Sequence, residues 1–431
     1  MELNPDFLAI AAALDAERAA GHVRGPLHGI PFLVKDNMAT KDHMETTAGS
    51  LALLGSVVPR DAHVVRLLRQ AGAVLFGKAT LSEWADMRSN NYSIGYSARG
   101  GQARSPYNLT LNPGGSSSGS AAAVAANVAM FTLGTETDGS DSRDNYTLAQ
   151  EGQTPVGGYV QFLTNREALR GATFGLPWES FWVRADAAQQ AILLELIELI
   201  REAGATIING TELPNYELMV SPTGWNWDWG SARGYPNESE YTVVKVDFYN
   251  NIRDYLAELD NTDIRSLEDI VAYNYANDGT EGGHPWPFGH PAFYSGQDGL
   301  LASLESRGIM DETYYQALEF CQTQTRELGI DAALNYNGTR LSALLVPSNV
   351  GQTFQIAAQA GYPMITVPAG VHSSTGMPFG LALMDTAWSE ANLVKWASAI
   401  EDLQFSSGTQ NKRFLPKWHR HLERNVPIRY L

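Results

Sequence analysis

The sequence predicts an α/β fold in which strands from both ends of the chain form one sheet, with a helical insert between them. Strand and helix signals alternate over the first 140 residues, as expected for helices packed against a buried sheet. The middle of the chain carries successive helix signals and aromatic loops, and the C-terminal part returns to alternation. No stretch resembles a linker, so a single domain over residues 1–431 accounts for the whole chain.

The N-terminal part supplies the first predicted strands and helices. An apolar run from Ile30 to Val34 predicts a buried strand that ends at Lys35. Asp61 is placed to cap a helix, and Thr80 and Glu83 have the spacing of a capping box for a second helix. The other elements predicted here are a strand over 73–76, a helix of small residues over 120–130 and a strand over 131–133.

The rest of the chain divides into a helical middle and an alternating C-terminal part. Helices are predicted over 187–203, 241–259, 266–276 and 312–328, followed by strands over 344–346, 364–367 and 379–384 and a helix over 389–403. Within the middle, Trp225, Trp227 and Trp229 alternate as residues on one face of a strand do. They are candidates for lining an acyl-binding channel, and packing in a core is the alternative interpretation.

Composition excludes several classes of function. The formal net charge of −17 argues against nucleic acid or an anionic membrane as the main partner. Cys321 is the single cysteine, which excludes an intrachain disulfide framework, a cysteine-based zinc site and a CxxC redox pair. The histidines show no metal-ligand spacing. No apolar run reaches the roughly 18 residues of a membrane-spanning helix.

The N-terminus and the glycosylation triplets bear on the cellular compartment of the protein. The apolar stretch from Phe7 to Leu14 follows Glu2 and Asp6 rather than positive charge, so a signal peptide is not indicated and a cytoplasmic location is favoured. Six Asn-x-Ser/Thr triplets leave a secreted form open. They begin at Asn91, Asn108, Asn145, Asn209, Asn237 and Asn337.

A glycine- and serine-rich segment at residues 112–120 allows three interpretations. It is a flexible turn before a helix, a phosphate cradle at a helix start, or a nucleophile elbow. The stretch from Gly115 to Gly119 has the G-x-S-x-G form of the elbow, which would make Ser117 the nucleophile of an α/β-hydrolase esterase. That mechanism also needs a histidine, and His372 and His419 are the available candidates.

A second cluster, from Gly134 to Ser140, follows the predicted strand over 131–133. Small residues after a strand let backbone N–H groups converge on one point, as an oxyanion hole requires. Lys35 is the third candidate element, either as a base in a desolvated site or as a structural ion pair with Asp36.

Taken in order and spacing, these three elements resemble the amidase signature family. The matching stretches are Gly29–Asn37, Asn112–Ser120, Gly134–Ser140, Gly77–Trp84, Asn108–Thr110, Gly361–Gly370 and Gly376–Leu381. The resemblance implies a large mixed sheet flanked by helices on both faces. It also implies an amidase that hydrolyses a linear carboxamide to a carboxylate and an amine or ammonia through a serine acyl-enzyme, with no metal or organic cofactor.

Family roles are carried over residue by residue. Ser140 resembles the acylated nucleophile, Ser116 the bridging serine on a cis peptide, and Lys35 the base. The backbone N–H groups of Thr137, Asp138, Gly139 and Ser140 resemble the oxyanion hole. A lysine base must have its pKa lowered from about 10.4 toward 7–8, which asks the surroundings to disfavour the ammonium by roughly 3–5 kcal/mol.

The sequence departs from the family pattern directly after Ser140. Where members continue with a core strand and loop, this chain continues with Asp141-Ser142-Arg143. A core segment is therefore predicted to be missing at the 140/141 junction, and residues 141–340 form a divergent region on the substrate side. The alternative to an active amidase is thus a catalytically impaired or inactive relative, with the Ser117 esterase as a third interpretation.

Overall fold

The computed structural model describes residues 1–136, 150–408 and 427–428 of the chain. The predicted sites at Thr137, Asp138, Gly139 and Ser140 lie outside these residues, as do the predicted junction at 140/141 and His419.

The strands, in chain order, are β1 Glu2–Leu3, β2 Pro31–Lys35, β3 Val74–Ala79, β4 Tyr96–Ser97, β5 Gly101–Gln102, β6 Phe131–Leu133, β7 Thr173–Leu176, β8 Thr206–Asn209, β9 Asn335–Tyr336, β10 Thr339–Arg340, β11 Ala343–Pro347, β12 Met364–Val371 and β13 Pro378–Met384. The α-helices are α1 Phe7–Ala19, α2 His63–Gln70, α3 Ser118–Ala125, α4 Ala187–Glu202, α5 Tyr216–Met219, α6 Trp229–Ala232, α7 Glu240–Ala257, α8 Leu267–Ala276, α9 Asp298–Ser306, α10 Glu312–Thr325, α11 Asp331–Leu334, α12 Gly351–Ala360 and α13 Glu390–Ser407.

The chain divides into two compact units. The first contains Met1–Ser142, Lys245–Ile309 and Pro416–Leu431, and the second contains Arg143–Val244 and Met310–Leu415. The boundary between Val244 and Lys245 falls inside α7.

The first unit is built on a four-stranded sheet in the order β1-β3-β2-β6. β2 pairs in parallel with both β3 and β6, while β1 is antiparallel to β3. Phe32 and Val34 of β2 and Leu75 of β3 pack with Val65 of α2 in one core cluster. Since parallel strands end at the same edge of a sheet, the residues that follow β2 and β6 are brought together.

The second unit contains a five-stranded mixed sheet in the order β12-β13-β11-β7-β8. Alternate residues of its strands enter two different clusters: Leu345 lies in one, and Leu344 and Val346 lie in the other. α4 and α13 supply the first cluster, and α11 and α12 supply the second. Helices therefore cover both faces of this sheet, and the predicted α/β class with helix-flanked mixed sheets is confirmed.

Most elements predicted from apolar patterning are present. The strand ending at Lys35, the strand Phe131–Leu133 and the helices of the central region lie within a few residues of their predicted positions. The strands of the two chain ends, however, lie in two separate sheets in the described part of the chain, where one shared sheet was expected. β7 and β8 were not predicted, and they complete the second sheet as parallel neighbours.

Three local predictions were wrong. Asp61 does not cap α2, because its carboxylate accepts from the backbone N–H of Lys41 and faces Arg69. The capping-box helix is instead one 3₁₀ turn over Glu83–Asp86, whose inner residues have a left-handed backbone. The placing of Trp225, Trp227 and Trp229 on one face, as in a strand, is the third, since Trp229 begins the short helix α6.

Membrane-spanning helices and clustered metal ligands are both absent from the described residues. None of their helices is long and apolar enough to cross a membrane. No group of three or more His, Cys, Asp or Glu residues in the same part of the chain is arranged to hold a metal ion.

Candidate active site

The candidate site is centred on Lys35, the last residue of β2. Its side chain is fully buried, and its amine donates hydrogen bonds to three hydroxyl groups. The distances from Nζ are 2.7 Å to Ser116 Oγ, 3.1 Å to Ser117 Oγ and 2.8 Å to Thr135 Oγ1. Three acceptors match the three N–H donors of an ammonium group, and a neutral amine would be free to accept from one of these hydroxyls.

Burial lowers the pKa of Lys35 to about 8, and the negative charge of Asp86 opposes the shift. Removal from water is the larger cause because it disfavours the charged ammonium. The expectation of a structural ion pair with Asp36 is not met, since no salt bridge involves Lys35 in the described residues. Asp36 instead accepts from Thr47 Oγ1 at 2.7 Å and from the N–H of Gly49 at 3.2 Å. Lys35 therefore has the electrostatic setting that a lysine base requires.

Ser116 is placed by the glycine turn that precedes α3. Gly114 and Gly115 have φ angles of 78° and 51°, in the region that favours glycine. Gly119 lies so close to Thr80 that a Cβ would stand 2.2 Å from its carbonyl oxygen. These residues bring the start of α3 against the end of β3 and so bring Ser116 to Lys35.

One detail expected from the family resemblance is not found at Ser116. The one cis peptide bond in the described part of the chain is Trp286–Pro287, so the peptide bonds flanking Ser116 are trans. The left-handed φ angles of Gly114 and Gly115 turn the backbone sufficiently for the Ser116 hydroxyl to reach Lys35 without a cis peptide.

Ser117 is not arranged as a nucleophile elbow. It is the N-cap residue of α3 and follows a turn rather than a strand. Its hydroxyl donates to the carbonyl oxygen of Thr135 at 3.1 Å and accepts from the N–H of Thr135 at 3.3 Å. Among the described residues it has no hydrogen bond to a histidine, and His372 pairs with Asp186. Ser117 therefore links α3 to the chain after β6.

Thr135 is a site residue that the sequence reasoning missed. It comes two residues after β6 and accepts from both Lys35 Nζ and Asn37 Nδ2, the latter at 3.0 Å. The signal was present, because β2 and β6 are adjacent parallel strands and the residues after them must lie close together. The described geometry thus joins the chain after β2, the glycine turn and the chain after β6 at one amine.

Comparison with known proteins shows which family this chain resembles. The family model described as Amidase matches residues 1–141. A putative amidase of Schizosaccharomyces pombe is 52% identical over 491 aligned positions, covering 99% of this chain and 82% of that protein. A probable amidase of Arabidopsis thaliana is 34% identical, covering 93% of this chain and 82% of that protein.

Solved structures agree with the sequence relatives. The peptide amidase from Stenotrophomonas maltophilia has a TM-score of 0.79 and 33% identity, covering 96% of this chain and 90% of that chain. An amidase family protein from Bacillus anthracis has a TM-score of 0.78 at 24% identity, covering 96% and 84%, and supports the fold alone. The fold thus belongs to a class of amide hydrolases. The chain is a member of the amidase signature family.

Proposed function

We propose that this chain is a serine amidase in which Ser140 is the nucleophile, Ser116 the proton relay and Lys35 the base. The observation that carries the proposal is the buried Lys35 amine, whose pKa is lowered to about 8 and whose Nζ lies 2.7 Å from Ser116 Oγ. A neutral lysine with a hydroxyl at hydrogen-bond distance is the pair that activates a serine without histidine.

The proposed reaction has two halves. The neutral amine of Lys35 takes the proton of Ser116 while Ser116 takes that of Ser140, and Ser140 Oγ forms a bond to the amide carbon. The N–H groups of Thr137, Asp138, Gly139 and Ser140 would stabilise the oxyanion. The proton returns through Ser116 to the nitrogen, the C–N bond breaks and the amine or ammonia leaves. Water then hydrolyses the acyl-enzyme by the same relay and releases the carboxylate.

The proposed substrate is a small linear carboxamide. Because the chain is 33% identical in sequence to a peptide amidase, a peptide amide is a suitable first substrate, beside a generic aryl amide. The experiment compares turnover by wild type with that by Ser140→Ala and Lys35→Ala, and tests whether a fluorophosphonate labels Ser140. We expect amide hydrolysis and Ser140 labelling in the wild type only. Equal background turnover in all three folded proteins would reject the proposal.

A second candidate, an impaired member of the family, is favoured by what the sequence lacks. The alignment with the Schizosaccharomyces pombe relative covers 491 positions against 431 residues here, so at least 491 − 431 = 60 of its residues face gaps. The family model match also ends at residue 141, beside the predicted junction. These two facts support the proposal that a core segment is missing between Ser140 and Asp141.

Exposed apolar side chains on both sides of the junction agree with that proposal. Upstream, Val124, Val128 and Met130 are exposed, Met130 by 70%. Downstream, Val156 and Val160 are exposed by 97% and 78%. Apolar side chains left this exposed on each side of the junction support the proposal that a missing segment covers them.

The two candidates are separated by restoring the segment. We expect a chimaera that carries the Schizosaccharomyces pombe residues at the 140/141 junction to be more stable and more active than the chain as it stands. Sequencing the transcript across that junction tests the origin of the gap. If the chain as it stands turned over the amide as fast as the chimaera does, the proposal of an impaired form would be rejected.

A further inference from the structure

A buried ionic cluster in the first unit joins the segment after β3 to the loop after α8. It consists of Glu83, Arg88 and Glu281, whose side chains are at most 1% exposed. Arg88 donates to both carboxylates and to the backbone carbonyls of Glu281 and Gly282. Its guanidinium also lies 3.8 Å from the centre of the Phe293 ring. Buried charges held by this many partners fix the position of the backbone that carries them.

Glu281 also holds a second segment of the first unit. Its Oε1 accepts from the backbone N–H of Leu51 at 2.6 Å and from Ser50 Oγ at 3.3 Å. One carboxylate from the divergent central region therefore ties together the turn at 50–51 and the guanidinium of Arg88. Removing its charge would leave buried donors without a full partner.

The cluster encloses a strained turn. Between Glu83 and Arg88, the φ angles of Trp84, Ala85 and Asp86 are 52°, 54° and 77°. Three successive residues other than glycine in the left-handed region persist only where surrounding contacts enforce them. The contacts here are the ion pair between Glu83 and Arg88, at the two ends of the turn, and the ion pair of Arg88 with Glu281.

The residue that precedes Glu83 is hydrogen-bonded to the candidate site. The backbone N–H of Ser82, next to Glu83, donates to the carbonyl oxygen of Ser116 at 3.1 Å. Ser82 Oγ accepts from the N–H of Gly95 at 2.8 Å, which fixes Ser82 in turn. At the other end of the turn, the charge of Asp86 acts on the Lys35 amine. The segment over residues 82–86 thus has one connection to Ser116, through Ser82, and one to Lys35, through the charge of Asp86.

We propose that Glu281 and Arg88 are positioning residues that hold the turn at 84–86 and thereby keep Ser116 in line with Lys35. The proposal rests on the proposed amidase function. It assigns a role in the reaction to the central region, through a residue that does not touch the reacting atoms. A displacement of about 1 Å at a proton relay is enough to lower a rate by about a hundredfold.

The test compares Glu281→Gln with Glu240→Gln. Glu240 is a matched control, because it is a buried carboxylate of the second unit that accepts from Gln355 and Gln359. For Glu281→Gln we expect kcat to fall by about tenfold to a hundredfold with KM within about twofold of wild type. For Glu240→Gln we expect both constants to stay at wild-type values. A folded Glu281→Gln protein with wild-type kcat would overturn the proposal.

A second readout keeps this result separate from the proposed function. In protein labelled with ¹³C at the lysine ε carbon, the Lys35 signal is identified by its loss in Lys35→Arg. We expect this signal to move in Glu281→Gln and to stay in place in Glu240→Gln, whether or not the protein turns over amides. An absence of turnover in wild type rejects the amidase, whereas an unmoved Lys35 signal rejects the positioning role.

A milder variant covers the case in which Glu281→Gln does not fold. Ser50→Ala removes one donor to Glu281 and leaves the Leu51 N–H in place. We expect the same pattern at smaller size, with kcat lowered a few-fold, KM unchanged and the Lys35 signal moved. Wild-type kcat together with an unmoved Lys35 signal in Ser50→Ala would overturn the proposal.

Discussion

Two buried lysines on neighbouring strands of the first unit differ in what surrounds them. Lys35 ends β2 and Lys78 lies in β3, where it is in register with Val34. Because side chains alternate along a strand, Lys35 and Lys78 point to opposite faces of the sheet. Burial lowers the pKa of each amine to about 8. The two residues therefore have the same shift in pKa and different partners.

The partners decide which lysine can do chemistry. Lys35 is bonded to three hydroxyls, including that of Ser116, and a hydroxyl can pass on a proton. Lys78 donates to the carbonyl oxygen of Met38 and to Thr46 Oγ1, both at 2.7 Å. Only one of these two partners is a hydroxyl, and the carbonyl can only accept, so Lys78 is suited to fixing the chain after β2. A lowered pKa indicates burial, and the identity of the neighbours indicates function.

The largest expected difference between the two lysines should appear in amide turnover when each is replaced by methionine. We expect Lys35→Met to lower amide turnover by about 10²–10⁴-fold, the range attributed to a positioned base. We expect Lys78→Met to keep turnover within about threefold of wild type and to lower the free energy of unfolding by about 1–3 kcal/mol, because a buried carbonyl loses its donor. Turnover assays and urea denaturation measure the two effects. Loss of turnover in a folded Lys78→Met protein would contradict the distinction.

The pH dependence of stability should show the common property of the two lysines. Each amine has a lower pKa in the folded protein than in the unfolded chain, so the unfolded chain holds more protons between about pH 8 and 10.5. Stability should therefore rise with pH in this window, by up to about 1.4 kcal/mol per pH unit for each lysine. Below about pH 8 both states are protonated and the rise should vanish.

The contribution of one lysine is isolated by difference. The free energy of unfolding of wild type minus that of Lys78→Met, measured from pH 7 to 9.5, should increase with pH. A difference that stays constant over this range would show that Lys78 titrates alike in the folded and unfolded states.

The smallest expected effect concerns how the hydroxyl groups around Lys35 influence its pKa. Thr135→Val removes one of the three acceptors of the Lys35 amine. Since hydrogen bonds to the charged form favour it, their loss should lower the pKa of Lys35 further, by on the order of half a unit to one unit. The rise of amide turnover with pH should then shift to lower pH by this amount. A pH profile equal to that of wild type would mean that Thr135 does not stabilise the ammonium.

Sequence reasoning succeeded where the pattern is local. The apolar run before Lys35 and the glycine turn before Ser116 specified a strand, a turn and their chemical groups without any distant contact. β7 and β8 were missed because each is only four residues long, too short for its apolar pattern to mark a strand. The assignment of β7 depends on pairing with β11, a strand that lies far away in sequence, and that of β8 depends on pairing with β7.

The left-handed turn over residues 84–86 could not be predicted for the same physical reason. Its local sequence has the spacing of a helix start, whereas contacts with distant residues hold it otherwise. The N–H of Trp84 donates to the carbonyl oxygen of Ala48, and Arg88 pairs with Glu281, almost 200 residues away. The roles proposed for Thr137, Asp138, Gly139 and Ser140, the single domain and the junction at 140/141 remain predictions.

The exposed side chains beside β6 also bear on how much of this protein a cell would retain. β6 is the edge strand of its sheet among the described residues, and the exposed side chains of Val128 and Met130 lie just before it in the chain. A free strand edge with apolar neighbours offers another chain both hydrogen bonds and contact area, which favours self-association. Chaperones and proteases act on such surfaces. The steady-state amount of this protein would then depend on quality control before it depended on any rate of catalysis.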